Sequence, residues 1–408
     1  SEGTPAEAGF SSELPALLDA HIQHFAENGS TPGGTFLVAR KGKIVYFNSA
    51  GNWTADGDRT YQNDDIYRLA SMTKAVTTVA IMQLYERGKL GLDDPIHYYL
   101  PAFAKPVVLK EFNDTDSSFT AVPAVSHITI RHLLTHTSGI TYGGFNPGKI
   151  EAVYAKLGAV AFGLSHRVTT EEMVNTIAKV PLVFQPGDRY MYGLNMEVLG
   201  RIIEVVSGKP LDQYFLDHIF DPLGMDDTRF YLPQEKHDRI PPIYTYNEKR
   251  EMITAKRGES PIDPDYPKAY GHNHFAGGGG LSGSTQDFAV FIQALLNGGV
   301  YDEKRILSRK SIEVMTSDQM ITLNKNGKGH SQIPGISYGL GFKLITDEGS
   351  AVSHKSPGTF EWGGFFNTKF FIDPQEELIF VGMTQIVPYT RPDFWDKMYA
   401  IIYGAIDD

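Results

Sequence analysis

The sequence predicts an α+β fold in which one antiparallel sheet is built from both chain ends, flanked by helices, with a helical insertion between them. Three observations carry this reading. Strand-like segments gather near residues 34–51 and 337–385, connections within each group are short, and the segments between repeat their apolar residues at helical spacing. Short connections join antiparallel neighbours, because a parallel crossover needs a dozen residues or more.

Taken in order, "GTFLVAR" and "KIVYFNSAG" flank Lys41-Gly42, a hairpin signal. A helix over residues 71–87 carries Ala75, Val76, Val79, Ala80, Met82 and Leu84 on most of its sides, so it reads as buried. A second runs over 196–206 and stops at Gly208. A third, over 285–297, places Phe288, Phe291, Ile292, Leu295 and Leu296 at helical spacing before Gly298. "SYGLGFKLIT", "GGFFNTKFFI" and "ELIFVGMTQ" then read as three successive strands, the last two joined by the turn former Asp373-Pro374. A last helix aligns Phe394, Met398, Ile401, Ile402 and Ala405 to cover the sheet. The expected division is a discontinuous sheet domain, 1–70 and 285–408, and a mainly helical domain, 71–284, with the active site at their junction. The long polar stretches 101–126 and 244–280 are of a length that points to site-lining loops.

The 408 residues, 41% hydrophobic and 21% charged, fit a globular enzyme with a large core. A net charge of -11 argues against nucleic acid and anionic lipid as partners. No apolar run reaches the ~20 residues that span a bilayer. Without cysteine there is no disulfide, thiolate nucleophile or sulfur metal site, so the choice between cytoplasm and periplasm stays open. The chain starts at Ser1 without a methionine, so a leader could have been removed. No cofactor is implied, and oligomeric state is not legible.

Ser71 and Lys74 raise the functional question. Three apart on a helix, they share one face, and the hydroxyl lies within reach of the amine. At a helix start, the positive end of the dipole and a low dielectric both disfavour a protonated amine, which suits Lys74 to take the serine's proton. The Ser71 N–H would point out of the helix end towards a developing oxyanion. On spacing alone the commoner use of S-x-x-K is an N-cap serine with a lysine reaching the surface.

Context changes that balance. "RLASMTKAVTTVAIMQLYERGK", "ITIRHLLTHTSGI", "FQPGDRYMYGLNMEVLGRIIEVVSGKPL", "HFAGGGGLSGSTQDFAVFIQALLNGG" and "FEWGGFFNTKFFIDPQEELIFVGMTQ", in this order, resemble the penicillin-recognising serine hydrolases. The nearest likeness is to class C β-lactamases and the family VIII carboxylesterases, over nearly the whole chain. The resemblance implies a β-lactamase/transpeptidase-like fold and an acyl-enzyme on Ser71. It also implies that Tyr192, in a variant of the Y-x-N motif, shares the base role with Lys74; Tyr190 is the fallback. The motif's asparagine is displaced by Leu194 to Asn195, which weakens amide recognition. Where β-lactamases carry K-T-G, the matching strand reads Trp362-Gly363-Gly364, an esterase form. It places the Phe365 N–H beside that of Ser71 as the oxyanion hole; Lys355-Ser356 competes for the K-T-G position, but Pro357 makes a poor strand. Tyr142 and Phe275, with Trp362, Gly363, Gly364 and Asn195, are the expected substrate contacts. The implied reaction is cleavage of small to medium apolar carboxylic esters. Amide hydrolysis, as a β-lactamase or D-amino-acid peptidase, is the alternative and would need a cation from Lys355, Lys369 or Arg391. A binding or sensor module without turnover is the third reading.

Two patterns compete. "GISYG" fits G-x-S-x-G with Ser337 as nucleophile, yet it lacks the required strand before and helix after the serine. His272 and His274 are spaced as metal ligands could be on a strand, without a third ligand at convincing spacing, and read as pocket rim. His136 and Ser138 invite a triad reading, which the resemblance replaces with a structural role.

Overall fold

The computed structural model describes residues 1–53, 59–113, 115–144, 149–159, 164, 168–258, 262–268, 274–330 and 334–408. A helix α1 (Leu14–Glu27) precedes the hairpin β1 (Gly33–Arg40) and β2 (Lys43–Gly51). Helices α2 (Thr73–Glu86), α3 (Asn195–Ser207) and α4 (Thr285–Leu296) follow. The chain then returns to the sheet as β3 (Ile336–Tyr338), β4 (Lys343–Ile345), β5 (Phe360–Gly363), β6 (Lys369–Asp373) and β7 (Leu378–Met383), and ends in α5 (Asp393–Gly404).

These seven strands form one antiparallel sheet in the order β3-β4-β5-β6-β7-β1-β2, so the two chain ends meet where β7 pairs with β1. One face carries α1 and α5 over Phe36, Val38, Phe371 and Phe380. The other carries α4, with Phe288 against Phe370, and merges into the core around α2 and α3. Alternation of side chains along each strand supplies both faces with apolar residues.

The helix stops follow from backbone chemistry. Gly208 caps α3 in the left-handed conformation, and the Ser284 hydroxyl accepts the Asp287 N–H at the start of α4. Two expectations need correction. "SYGLGFKLIT" is not one strand but the hairpin β3–β4, because Gly341, at φ 77°, lets the chain reverse. Stretch 101–126 is not an open site-lining loop: it holds a two-stranded ribbon, Val107–Phe112 with Phe119–Pro123. Among the described residues no helix is long and apolar enough to cross a membrane.

Candidate active site

Ser71 does not begin the α-helix, as the spacing suggested, but sits in a 3-10 turn, Ala70–Met72, that leads into it. The preceding Ala70 has φ 45°, a left-handed conformation that costs a non-glycine residue about 1 kcal/mol or more. Contacts on both sides hold it there: the Leu69 N–H donates to Leu281 O at 2.9 Å, and β5 runs alongside.

Lys74, in the first turn of α2, is fully buried. Its Nζ lies 3.2 Å from Ser71 Oγ, 3.1 Å from the Tyr142 hydroxyl and 2.5 Å from Gly278 O. The glycine-rich segment is set against α2 by the threonines of that helix. Thr77 donates to Gly277 O at 2.6 Å, and Thr73 accepts the Leu281 N–H at 3.1 Å. From the opposite side Glu197 of α3 accepts the Gly278 N–H at 2.9 Å. Gly278 therefore links a carboxyl on one helix to an amine on another. Burial pushes the Glu197 carboxyl up to about 8, against the pull of Lys74 and the Gly278 and Gly277 N–H groups, so at neutral pH it is mostly uncharged.

Tyr192 donates to Ser71 Oγ at 2.8 Å, and Lys74 Nζ lies 4.8 Å from the centre of its ring. Tyr190, the fallback, is half-buried, its ring edge-on to His330 and tilted against Tyr338. The loop that presents Tyr192 is fixed by His136: the Met191 N–H donates to His136 O at 2.8 Å, and Asn195 Nδ2 donates to His136 Nδ1 at 2.8 Å. Burial keeps that imidazole far below its ordinary value, hence neutral and able to accept.

A cavity of about 1020 Å³ opens onto Ser71 and Tyr192 and is bordered by Trp362, Gly363, Gly364 and Phe365. Trp362 packs 5.5 Å from Tyr192, ring centre to ring centre. A side chain at Gly364 would collide with Leu69 O, so glycine lets β5 lie against the serine's own turn. Ser71 and Phe365 thus border the same space.

Three expected substrate contacts are placed differently. Asn195 is fully buried between Ser138, whose hydroxyl donates to its Oδ1 at 2.5 Å, and His136, leaving it engaged within the protein. Tyr142 is buried and faces Lys74 instead of the cavity; burial raises its phenol well above the ordinary range, so it stays protonated. Phe275 packs on Phe230 and Tyr231 and does not border the cavity at Ser71. Of the loops expected to line the site, only the Gly277–Gly280 end of 244–280 reaches it among the described residues.

The competing patterns find other roles. Ser337 is buried on β3, donating to Asp318 Oδ1 at 2.5 Å and accepting from Asn324 at 2.9 Å. His272 lies outside the described residues, and His274 is buried, its carbonyl accepting from Tyr231. Lys355 lies between β4 and β5 and pairs with Glu361; Arg391 pairs with Asp393.

Sequence reading missed Glu197 and the role of Gly278. No local signal marked the carboxyl: helical spacing puts Glu197 on the side of Gly200 and Arg201, and its burial comes from the tertiary packing.

Comparison with known proteins places this arrangement in context. The Beta-lactamase family profile matches residues 18–403. An uncharacterized protein of Mycobacterium tuberculosis is 32% identical over 90% of this chain and 89% of its own. Esterase EstB of Burkholderia gladioli is 28% identical over 88% of this chain and 87% of its own. Among solved structures, EstCE1, described as a hydrolase with promiscuous acyltransferase activity, superposes with a TM-score of 0.82 at 27% identity, covering 96% of this chain and 99% of its own.

Proposed function

Since the chain belongs to the beta-lactamase family, we propose that it is a serine hydrolase that cleaves carboxylic esters of small to medium apolar acyl groups through an acyl-enzyme on Ser71. The carrying observation is that Tyr192 and Lys74 both stand within hydrogen-bond distance of one serine oxygen.

The steps follow from that geometry. Ser71 Oγ attacks the acyl carbon while its proton passes to the Tyr192–Lys74 pair; the carbonyl oxygen becomes an oxyanion held by the Ser71 and Phe365 N–H groups. The C–O bond to the alcohol then breaks, and the alcohol leaves with the proton. A water attacks the acyl-enzyme, gives its proton to the Tyr192–Lys74 pair, and the pair returns a proton to Ser71 Oγ as the bond to the acyl carbon breaks and the acid departs. Lys74 suits this relay because its partners besides Ser71 are uncharged oxygens of Tyr142 and Gly278.

An ester is favoured over an amide by two placements. Trp362 stands where K-T-G would put a cation, and Asn195 is turned into the protein. The names of EstB, an esterase, and of EstCE1, a hydrolase with promiscuous acyltransferase activity, support the same reading by likeness. On this reading the site lies between a discontinuous sheet unit, 1–70 and 285–408, and a mainly helical unit, 71–284.

The test is hydrolysis of p-nitrophenyl butyrate by the intact protein and by Ser71→Ala, with a chromogenic cephalosporin as second substrate. Ester turnover lost with Ser71, and little cephalosporin turnover, is the expected result. Ester turnover that survives Ser71→Ala would remove the proposal. Cephalosporin turnover as fast as that of the ester would replace it with amide chemistry.

A further inference from the structure

Along β5 successive side chains face opposite sides of the sheet: Trp362 turns towards Tyr192, while Glu361 and Gly363 turn to the other face. On that rear face their cross-strand partners are Phe371 and Lys369 of β6. The cavity bordered by Ser71, Gly363 and Gly364 is also bordered by Lys343, Lys355, Lys369, Glu361 and Asp396, which outline a rear chamber.

The charges in this chamber do not cancel. Lys343 and Lys355 both pair with the two oxygens of Glu361, and Asp396 is exposed on α5. Lys369 has no hydrogen-bond or ion-pair partner for its ammonium among the described residues. Three lysines thus face two carboxylates, leaving one positive charge uncompensated. The Lys369 Nζ lies 3.0 Å from the position a Cβ on Gly363 would take, so the glycine makes room for it beside the strand that borders the serine. Burial disfavours the charged form of this amine, more than Glu361 favours it, which is the condition of a cation lacking its anion.

We propose that this rear chamber is a subsite for a carboxylate on the substrate, with Lys369 as its direct partner and Lys343 at its mouth. It rests on the ester-hydrolase reading and refines it: the preferred substrate is an ester with an apolar chain that ends in a free carboxylate. The subsite is not the K-T-G position, which Trp362 fills on the opposite face. One net charge selects a monoanion. Gly364 abuts Leu69, two residues before Ser71, and Gly363, beside Lys369, is the next residue on, so at 3.8 Å per residue the subsite lies within roughly 10 Å of the serine. A seven-carbon dicarboxylic half-ester has that reach.

The experiment compares mono-p-nitrophenyl pimelate with p-nitrophenyl hexanoate at low salt for the intact protein, Lys369→Met and Lys369→Arg. The intact protein is expected to prefer the pimelate ester, chiefly through KM. In Lys369→Met the ratio of the two kcat/KM values should fall about tenfold, the scale of one charge-assisted contact, while Lys369→Arg retains most of it. The preference should also shrink with added salt. An equal ratio in the intact protein and Lys369→Met overturns the subsite, and Lys369→Gln, which also removes the charge, supplies the same comparison if the methionine variant does not fold. If neither ester shows turnover dependent on Ser71, the hydrolase reading fails. The subsite is then decided by calorimetry with pimelate: binding that is lost in Lys369→Met supports it, and no binding, or binding that the substitution leaves unchanged, overturns it.

Discussion

Two buried lysines, Lys74 and Lys355, sit on either side of β5 in opposite surroundings. Lys355 faces an ionised carboxylate. Burial alone would raise the Glu361 carboxyl, but Lys355 and Lys343 draw it down to about 2. Lys74 instead meets only uncharged oxygens, and its nearest carboxyl, Glu197, is held largely protonated by its own burial. The difference teaches what each amine is for. An amine locked into an ion pair is fixed in charge and position, whereas one surrounded by neutral donors and acceptors can exchange a proton with its neighbours.

The most direct way to break this contrast is Lys74→Met, which keeps most of the volume. Turnover of p-nitrophenyl butyrate should fall by about 10³-fold or more while circular dichroism stays that of the intact protein. Tyr192→Phe should cost about 10²- to 10⁴-fold in kcat with a smaller change in KM, since only the transferable proton is removed. On the other side of the strand, Lys355→Met should act on stability. It strands Glu361 with one cation fewer, at a cost of about 3 kcal/mol, read by urea denaturation.

The smallest effect separates the two carboxyls by pH. The Glu361 carboxyl is lowered in the fold, so its contribution is present above the ordinary value of 4.5 and disappears as pH falls towards about 2. Glu197 is raised, so its contribution is complete below 4.5 and is lost as pH rises through about 8. The melting temperature of the intact protein should therefore decline between these values, and Glu197→Gln should flatten that decline. An unchanged slope in Glu197→Gln would show that the carboxyl does not hold its proton in the fold.

Much of this was legible along the chain because it is local. The β1–β2 hairpin, the burial of α2 and the Ser71–Lys74 spacing depend on residues a few positions apart. The same holds for the covering face of α5, where Phe394, Met398 and Ile402 are buried as their spacing required. Where the reading strayed, the deciding contact was distant. Asn195 looked available to substrate because nothing nearby in sequence announces His136 and Ser138, which consume its amide. Tyr142 was assigned to the pocket, yet a lysine 68 positions earlier claims its hydroxyl.

The sequence by itself determined the fold class, the sheet assembled from both ends and the identity of a serine with a lysine one turn later, since apolar periodicity and turn chemistry act within a segment. Only the tertiary structure decided which oxygens surround that lysine, that Gly278 ties it to Glu197, and that Lys369 borders the cavity at Ser71 with no ion-pair partner among the described residues. Those properties belong to groups brought together from separate helices and strands, and in a low-dielectric interior it is the charges and dipoles a few ångströms away in space that set what a side chain can do.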